Sequence, residues 1–344
     1  MNVLFVVTHY YPYIGGVEYV VKSVAERLTK LGHEVTVLAG EPTIDRPVEE
    51  FVGEVRVIKW PTWSPNDAYH VPKRRSGLAK LLAELAKEYD VVHVHSAHAA
   101  LTVWSGLKLK RYNPSFRLVF TLHYHETGHT LPRKLLWSVL WRKQVSKLVE
   151  VSDKIHAVSL REARLIKKHY PEARSKIVVI SNGVDEDVSQ YRWRGQNSDY
   201  MTYAGRIEKY KRLGLAVDLA KQLSLKLVIL GDGSYKRKLA KYAEKHYPGK
   251  VEFYPPQPRP RYLEILSKAR YAVNPSRHEA YSIFIAEALK MGAPAIVSRE
   301  VAENLETVSK PFNEGLVLAV KAPIKTWNEV VQIYLNKLYR NGKI

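Results

Sequence analysis

Hydrophobic residues along this chain fall into short uninterrupted runs separated by longer amphipathic stretches. Residues 2–8 (NVLFVVT) are almost wholly apolar, and Glu18 to Leu31 then places Val20, Val21, Val24, Leu28 and Leu31 at helical spacing. Gly32 stops that helix and EVTVLAG supplies a second run, which together predict a strand, helix, strand unit. The pattern continues with VRVIKW at 55–60, a helix around Gly77 to Glu88, DVVHVHS at 90–96, a helix near Ala99 to Leu109 and RLVFTLH at 117–123. A helix over Leu131 to Val149, KIHAVS at 154–159, a helix over 160–169 and KIVVISNGVD complete the first half.

The alternation restarts at Asp199 with YMTYAGR, a helix over 213–223, KLVILGDG, a helix over 234–246, VEFYPP, a helix over 260–269 and RYAVNPS. A helix opening near Ser282 and then APAIVS follow. Wholly apolar strands alternating with helices indicate sheets buried on both faces. The predicted fold is α/β, with two domains of doubly wound parallel sheet at 1–184 and 199–325, side by side and leaving a ligand cleft between their carboxyl ends. The polar stretch 185–198 (DEDVSQYRWRGQNS) lacks periodicity and reads as the linker.

The two-domain picture suits 344 residues, each half being large enough to bury a core. A formal charge of +20 favours anionic partners without choosing among nucleic acid, an acidic membrane surface and phosphorylated small molecules. With no Cys there is no disulfide framework, thiolate zinc site or thiol nucleophile. Abundant Lys, Arg, Tyr and Glu with only three Met fit a heat-adapted intracellular protein. Met1 opens directly into a strand-like run, which predicts no secretory signal. No apolar run reaches the roughly 18 residues of a spanning helix, so the expectation is a cytoplasmic protein, soluble or peripheral at a membrane.

Several residues carry candidate chemistry. Glu279 precedes the helix opening near Ser282, and Glu287 lies inside it among Ile283, Phe284, Ile285, Ala286, Ala288 and Leu289. A carboxylate in so apolar a helix needs a dedicated partner or a place at a cleft edge; pairing with an Arg or capping a loop are the plainer alternatives. Gly15 and Gly16 join the first strand to its helix, where they serve either close approach of a ligand or a tight turn. Arg206 and Lys211 bracket a loop after a strand and could clamp a diphosphate, against the alternative of solvated surface charge. Gly231, Asp232 and Gly233 form a turn read as nucleotide-facing, although the dinucleotide fingerprint is incomplete.

His125, Glu126 and His129 spell H-E-x-x-H, but Gly128 and Pro132 place the pattern in a loop rather than on a zinc-binding helix. His93, His95 and His98 alternate at a strand end as packing or cleft residues. Asp185 and Asp187 could hold a metal, but a linker position predicts solvation.

Taken together, GGVE at 15–18, TLH at 121–123, AVS at 157–159, SNGVD at 181–185, YAGRIEKYK at 203–211, LGDG at 230–233 and the pair Glu279 and Glu287 resemble the retaining glycosyltransferases of family 4, which have the GT-B fold. The resemblance covers nearly the whole chain. It implies transfer of a hexose from a nucleotide-diphosphate sugar to an acceptor hydroxyl with retained configuration, without a metal or other cofactor. Glu287 would accept from the ribose hydroxyls and Glu279 would hold the hexose. Arg206 and Lys211 would neutralise the diphosphate beside Gly231 and the amides of Tyr281, Ser282, Ile283 and Phe284. On the acceptor side, Gly15 and Gly16 would line the phosphates and acceptor, and His123 would lie near the reacting carbon.

The sequence departs from the family at Ala280, Tyr281 and Ser282, at Arg212 where glycine is common, and over REVAENLETVSK after Ser298. The short C-terminal part predicts that the amphipathic helix from 326 onward packs back on the first domain. Lys73, Arg74 and Arg75 with the basic aromatic segment 131–148 form a candidate surface for an anionic bilayer and a lipid-linked acceptor, beside the plainer reading of a core helix with snorkelling cations. A nucleotide-sugar epimerase of the same fold is the alternative enzyme. A nucleic-acid-binding role, which the charge alone suggests, lacks a recognition module.

Overall fold

The computed structural model describes residues 1–13, 15–65, 69–124, 141–277, 279–313 and 315–340. The chain divides into two units, Met1–Ile180 with the C-terminal stretch from Trp327, and Ser181–Thr326.

In the first unit the leading apolar run is β1 (Asn2–Val7), followed by α1 (Gly16–Lys30), β2 (Glu34–Glu41), β3 (Val48–Val52), β4 (Val55–Trp63) and β5 (Val71–Pro72). Next come α2 (Arg75–Leu85), β6 (Val91–His95), α3 (Ala100–Tyr112), β7 (Arg117–Thr121), α4 (Arg142–Val151), β8 (Lys154–Ala157), α5 (Leu160–His169) and β9 (Ile177–Val179). The sheet has the order β3-β4-β2-β1-β6-β7-β8-β9, with β5 paired to β4. All of β6 is buried and so is β1 after its first residue, because helices cover both faces of a parallel sheet.

Parallel pairing gives way at one edge, where β3 and β5 run antiparallel to β4. The β3–β4 link is the two-residue turn Gly53–Glu54, too short for the crossover that a parallel neighbour requires. Phe51 of β3 stays 69% exposed, so this edge strand lacked the apolar signature of the others. The helix expected over 131–149 is described as α4, and its part at 131–140 lies outside the described residues.

The C-terminal helix (Trp327–Tyr334) and the π turn after it (Leu335–Tyr339) belong to the first unit. Trp327, Val330, Val331, Tyr334 and Leu338 are buried, Tyr19 of α1 meets the Trp327 ring edge-on, and Arg27 donates to Asn328. A chain of buried hydrogen bonds ties the π turn to the sheet. The Ile180 carbonyl can only accept, so His156 donates from Nε2 at 2.8 Å, and His156 Nδ1 must accept from Thr121 Oγ1 at 2.8 Å. Thr121 Oγ1 then accepts from His93 Nε2 at 2.7 Å, and His93 Nδ1 accepts from the Tyr339 hydroxyl at 2.8 Å. One carbonyl thereby sets both tautomers. Burial keeps the rings neutral, holding His93 well below the usual imidazole range and His156 down to about 4.

The second unit contains β10 (Tyr200–Ala204), α6 (Leu213–Gln222), β11 (Lys226–Leu230), α7 (Lys236–His246), β12 (Val251–Tyr254) and α8 (Arg259–Lys268). It continues with β13 (Tyr271–Asn274), α9 (Ile283–Met291), β14 (Ala295–Ser298), α10 (Arg299–Asn304), β15 (Val308–Pro311) and β16 (Leu316–Lys321). The order is β12-β11-β10-β13-β14-β16-β15. Here too the edge is mixed, with β16 antiparallel to β14 and β15 antiparallel to β16. The stretch REVAENLETVSK forms α10 and most of exposed β15.

The division between the units falls after Ile180, not after residue 184. The expected linker at 185–198 is instead laid onto the second unit. Glu186–Gln190 forms a 3-10 turn, Trp193 N donates to Met291 O at 3.0 Å, and the Trp193 indole donates to Ala269 O at 2.9 Å. Its polar side chains hid an ordered backbone. Among the described residues no helix is long and apolar enough to cross a membrane.

Thr121 both accepts and donates at the centre of the buried chain, so Thr121→Val strands a donor on His93 and leaves His156 Nδ1 only the Tyr334 hydroxyl at 3.4 Å. The expected cost is about 2–5 kcal/mol, against about 1 kcal/mol for Tyr339→Phe at the chain's end. Urea-unfolding midpoints of the two variants check that order.

Candidate functional site

In the second sheet the chain steps from β10 outward to β11 and β12, then returns to place β13 on the other side of β10. The carboxyl ends of β10 and β13 therefore flank a topological switch point, where open α/β sheets bind ligands. The loop after β10 carries Arg206 and Lys211, and the loop after β13 carries Glu279. Arg277 N donates to Tyr210 O at 3.1 Å and ties the two loops together.

Lys211 is folded inward, contrary to the solvated-charge alternative. Its Nζ lies 2.9 Å from both carboxylate oxygens of Glu279, and the two side chains are only 11% and 14% exposed. Asn274 Nδ2 adds a bond to Glu279 Oε2 at 3.2 Å. Burial pushes the Glu279 carboxyl up, but Lys211 and these hydrogen bonds outweigh it and hold Glu279 below its ordinary value of 4.5. Arg206 is exposed, its carbonyl accepting from the Tyr203 hydroxyl at 2.9 Å.

The Glu279 backbone is held from α10. Glu279 N donates to Glu300 Oε1 at 3.1 Å, and Asn304 Nδ2 donates to Glu279 O. Ser298 caps α10 and donates to Ser276 O at 2.8 Å. These supports come from the stretch where the family resemblance lapsed. Their sequence signal is an N-cap Ser298 just before an amphipathic turn.

Ser282 is the N-cap residue of α9, yet it makes no capping bond; its Oγ is turned to Asn274 and accepts from Nδ2 at 2.9 Å. The first-turn amides of Ile283 and Phe284 thus have no side-chain cap, as an anion site at a helix N-terminus requires. Tyr281 and Phe284 are buried, Phe284 packing edge-on against Tyr203. Ala280 is outside the left-handed region, so its methyl group does not strain the loop. Arg212 does adopt φ 54, which accounts for the family's preference for glycine there.

Glu287 is 2% exposed and has the dedicated partners its burial demands. Its Oε1 accepts from Arg259 Nη1 and its Oε2 from the Tyr262 hydroxyl. Burial still leaves its carboxyl above 4.5, with Arg259 and Tyr262 opposing that rise. Arg259 also forks onto Asp187 at 2.9 and 3.0 Å, with Asp185 at 3.7 Å, so this D-x-D pair is engaged by a cation rather than simply solvated. Arg259 and Tyr262 were not singled out from sequence, and Asp187 was singled out only as half of a possible metal pair. The demand of Glu287 for a partner was legible, but not which residue met it.

Gly231 sits at φ 147, and a Cβ there would lie 2.1 Å from Gly205 O. The LGDG turn therefore lets the loop after β11 pack on the loop that bears Arg206 and Lys211, a structural reason for glycine alongside any ligand role.

In the first unit the equivalent switch point lies between β1 and β6. Gly15 is the extended N-cap of α1 at φ −155 and Gly16 its first residue, so neither needs the left-handed geometry of a tight turn. A Cβ on Gly16 would meet no atom within 4 Å. His123 follows β7 at φ 49, with Nε2 3.0 Å from His95 Nδ1. His93 and His95 are buried, and His98 stacks with Tyr124. The H-E-x-x-H pattern at 125–129 lies outside the described residues. Of the basic aromatic surface, Lys73 lies 3.4 Å from Asp45, Arg74 and Arg75 are exposed, and the Trp141 indole donates inward to Ala97 O at 2.7 Å; 131–140 lie outside the described residues.

Two Rossmann-like units with mostly parallel sheets define the GT-B architecture. The chain belongs to the glycosyltransferases of family 4. The model of Glycosyltransferase Family 4 matches residues 14–188, and that of Glycosyl transferases group 1 matches residues 187–341. It is an enzyme of the glycosyltransferase type. An uncharacterised glycosyltransferase of Methanocaldococcus jannaschii is 23% identical over 97% of this chain and 90% of its own length. Sucrose-phosphate synthase from Thermosynechococcus elongatus superposes with a TM-score of 0.67 at 15% identity, covering 99% of this chain and 92% of that one. HepE from Anabaena, in complex with UDP and glucose, gives a TM-score of 0.64 at 14% identity, covering 98% and 91%.

Lys211→Met leaves the Glu279 charge buried and unpaired, at an expected cost of about 3–5 kcal/mol. In the wild type the depressed Glu279 pKa contributes stability that is present above 4.5 and lost as pH falls through the lower folded value. Without Lys211, burial dominates, the folded value rises above 4.5, and the Glu279 contribution to stability falls with increasing pH instead. Urea midpoints from pH 3 to pH 7 check the reversal.

Proposed function

We propose that this glycosyltransferase moves a hexose from a nucleotide-diphosphate sugar to an acceptor hydroxyl, with retained configuration at the anomeric carbon and without a metal. The observation that carries the reading is the Lys211–Glu279 pair beside the side-chain-uncapped N-terminus of α9. A diphosphate arriving there meets amide donors, Lys211 and Arg206, which supply the charge neutralisation that a divalent cation gives elsewhere. Lys211 turning to the phosphate would free Glu279 to accept from hexose hydroxyls. Glu287 would take the ribose, and Gly231 would keep the loop of Arg206 and Lys211 in place.

On the acceptor side, His123 and Gly16 would border the acceptor hydroxyl, with Gly15 shaping the approach. Attack and departure on the same face let a leaving-phosphate oxygen take the acceptor proton, so the protein's share is positioning and charge stabilisation, together several kcal/mol. The net charge of +20 suits an anionic donor. The structurally similar HepE from Anabaena, solved in complex with UDP and glucose, supports a nucleotide-sugar donor. Exposed Arg74 and Arg75 support an acceptor carried at an anionic surface, such as a lipid-linked one.

A thermal-shift panel of UDP-, GDP- and ADP-sugars tests the donor reading, since a ligand bound only by the folded state raises the melting temperature. One class is expected to raise it, and Glu287→Ala to abolish that rise while changing the unliganded melting temperature less. No shift with any sugar nucleotide sinks the reading. Conversion of the donor to its epimer without acceptor would replace transfer by epimerisation.

A further inference from the structure

Arg259 opens α8 and sits at the centre of a relay that joins three segments of the second unit. Its Nε and Nη2 hold both oxygens of Asp187 at 3.0 and 2.9 Å, and its Nη1 reaches Glu287 Oε1. One turn further along α8, Tyr262 donates to the other Glu287 oxygen. The Glu287 side chain is 3% exposed while Arg259 is 32% and Asp187 37% exposed, so the buried carboxylate hangs from a cation that is itself clamped at the surface.

A planar fork gripped on one edge by a carboxylate cannot rotate, and this fixes the plane of the second carboxylate on its other edge. A carboxylate offers about four lone-pair sites. Arg259 and Tyr262 occupy one on each oxygen, leaving one on each. Two lone pairs on two adjacent oxygens of a fixed carboxylate match the two hydroxyls of a vicinal diol.

We propose that Arg259, anchored by Asp187, is a positioning residue that orients Glu287 so that its two remaining lone pairs accept from the 2′- and 3′-hydroxyls of the donor's ribose, making the site selective for ribonucleotides. The proposal rests on the nucleotide-sugar reading given above. It adds that selectivity belongs to the Asp187–Arg259–Glu287–Tyr262 relay and not to Glu287 alone.

The test is calorimetric titration of the intact chain with UDP, GDP and ADP and with their 2′-deoxy and 2′,3′-dideoxy forms. The wild type is expected to bind the favoured ribonucleotide at least tenfold more tightly than its dideoxy form. Arg259→Met is expected to bring that ratio to within about twofold by weakening only the ribonucleotide, and Arg259→Lys, which keeps the charge without the fork, to restore only part of it. Tyr262→Phe, which removes a single hydroxyl, should lower the ratio in the same direction and covers the case in which Arg259→Met does not fold. A variant that weakens ribose and dideoxy forms equally has lost structure or a phosphate contact, and that result overturns the proposal, as does an unchanged ratio. If the wild type binds a diphosphate but does not distinguish the sugar, only this inference fails. If it binds none, the donor reading fails and takes the inference with it.

Discussion

A carboxylate taken out of water must be met by a cation or by hydrogen-bond donors, and the second unit is arranged around two that are. Glu279 is met by Lys211 from the loop after β10, Glu287 by Arg259 and Tyr262 from α8. Each pair joins elements distant in sequence, so the requirement for charge compensation also fixes the loops at the switch point. The two solutions differ electrostatically. Glu279 ends below its ordinary pKa because a nearby ammonium outweighs burial, whereas Glu287 ends above it because burial outweighs a shared guanidinium. Arg259 divides its charge among Glu287, Asp187 and Asp185, and less of it is left for any one of them.

The first unit holds a second kind of buried polar network, one without charge. His93, Thr121, His156 and Tyr339 pass hydrogen bonds in one direction toward the Ile180 carbonyl, and burial keeps every imidazole neutral. A neutral relay avoids the desolvation cost of ions but tolerates no gap, since each member depends on the donor behind it. The C-terminal helix is bound into the first unit by this relay as well as by its apolar face.

The fold was legible where burial was two-sided. β1, β6, β10 and β11 are nearly unbroken apolar runs, and the helices predicted over 18–31 and 160–169 fall within about two residues of α1 and α5. The edges were not legible. β3 reads VEEFV and β15 VSKP, and residues facing solvent carry no apolar signature by which to be found. For the same reason 185–198 resembled a linker, because its order comes from backbone bonds and from Trp193, not from periodicity. In the candidate site, Lys211 and Glu279 were visible as charges in loops after strands. Arg259 was not, since nothing local marks one arginine among so many cations as the partner of a glutamate 28 residues away.

Part of the backbone strain also sits beside the carboxyl ends of the parallel strands. Ser96 at φ 77 comes directly after β6, His123 at φ 49 lies two residues past β7, and Arg212 at φ 54 ends the loop after β10. A left-handed conformation costs a non-glycine residue about 1–2 kcal/mol, and each of these three residues lies at the carboxyl end of a parallel strand or in the loop that leaves it. Such outliers persist only where surrounding bonds over-determine them. Ser96 N is fixed by Thr121 O, His123 by His95, and Arg212 N by Lys209 O. Packing against the sheet therefore bears the cost of aiming His123 and Lys211 out of their regular elements. Glycine at Arg212 would relieve that strain, but it would also release the backbone next to the lysine whose charge Glu279 needs. The arginine thus exchanges local ease for a stiffer Lys211, which is the side chain the buried carboxylate can least do without.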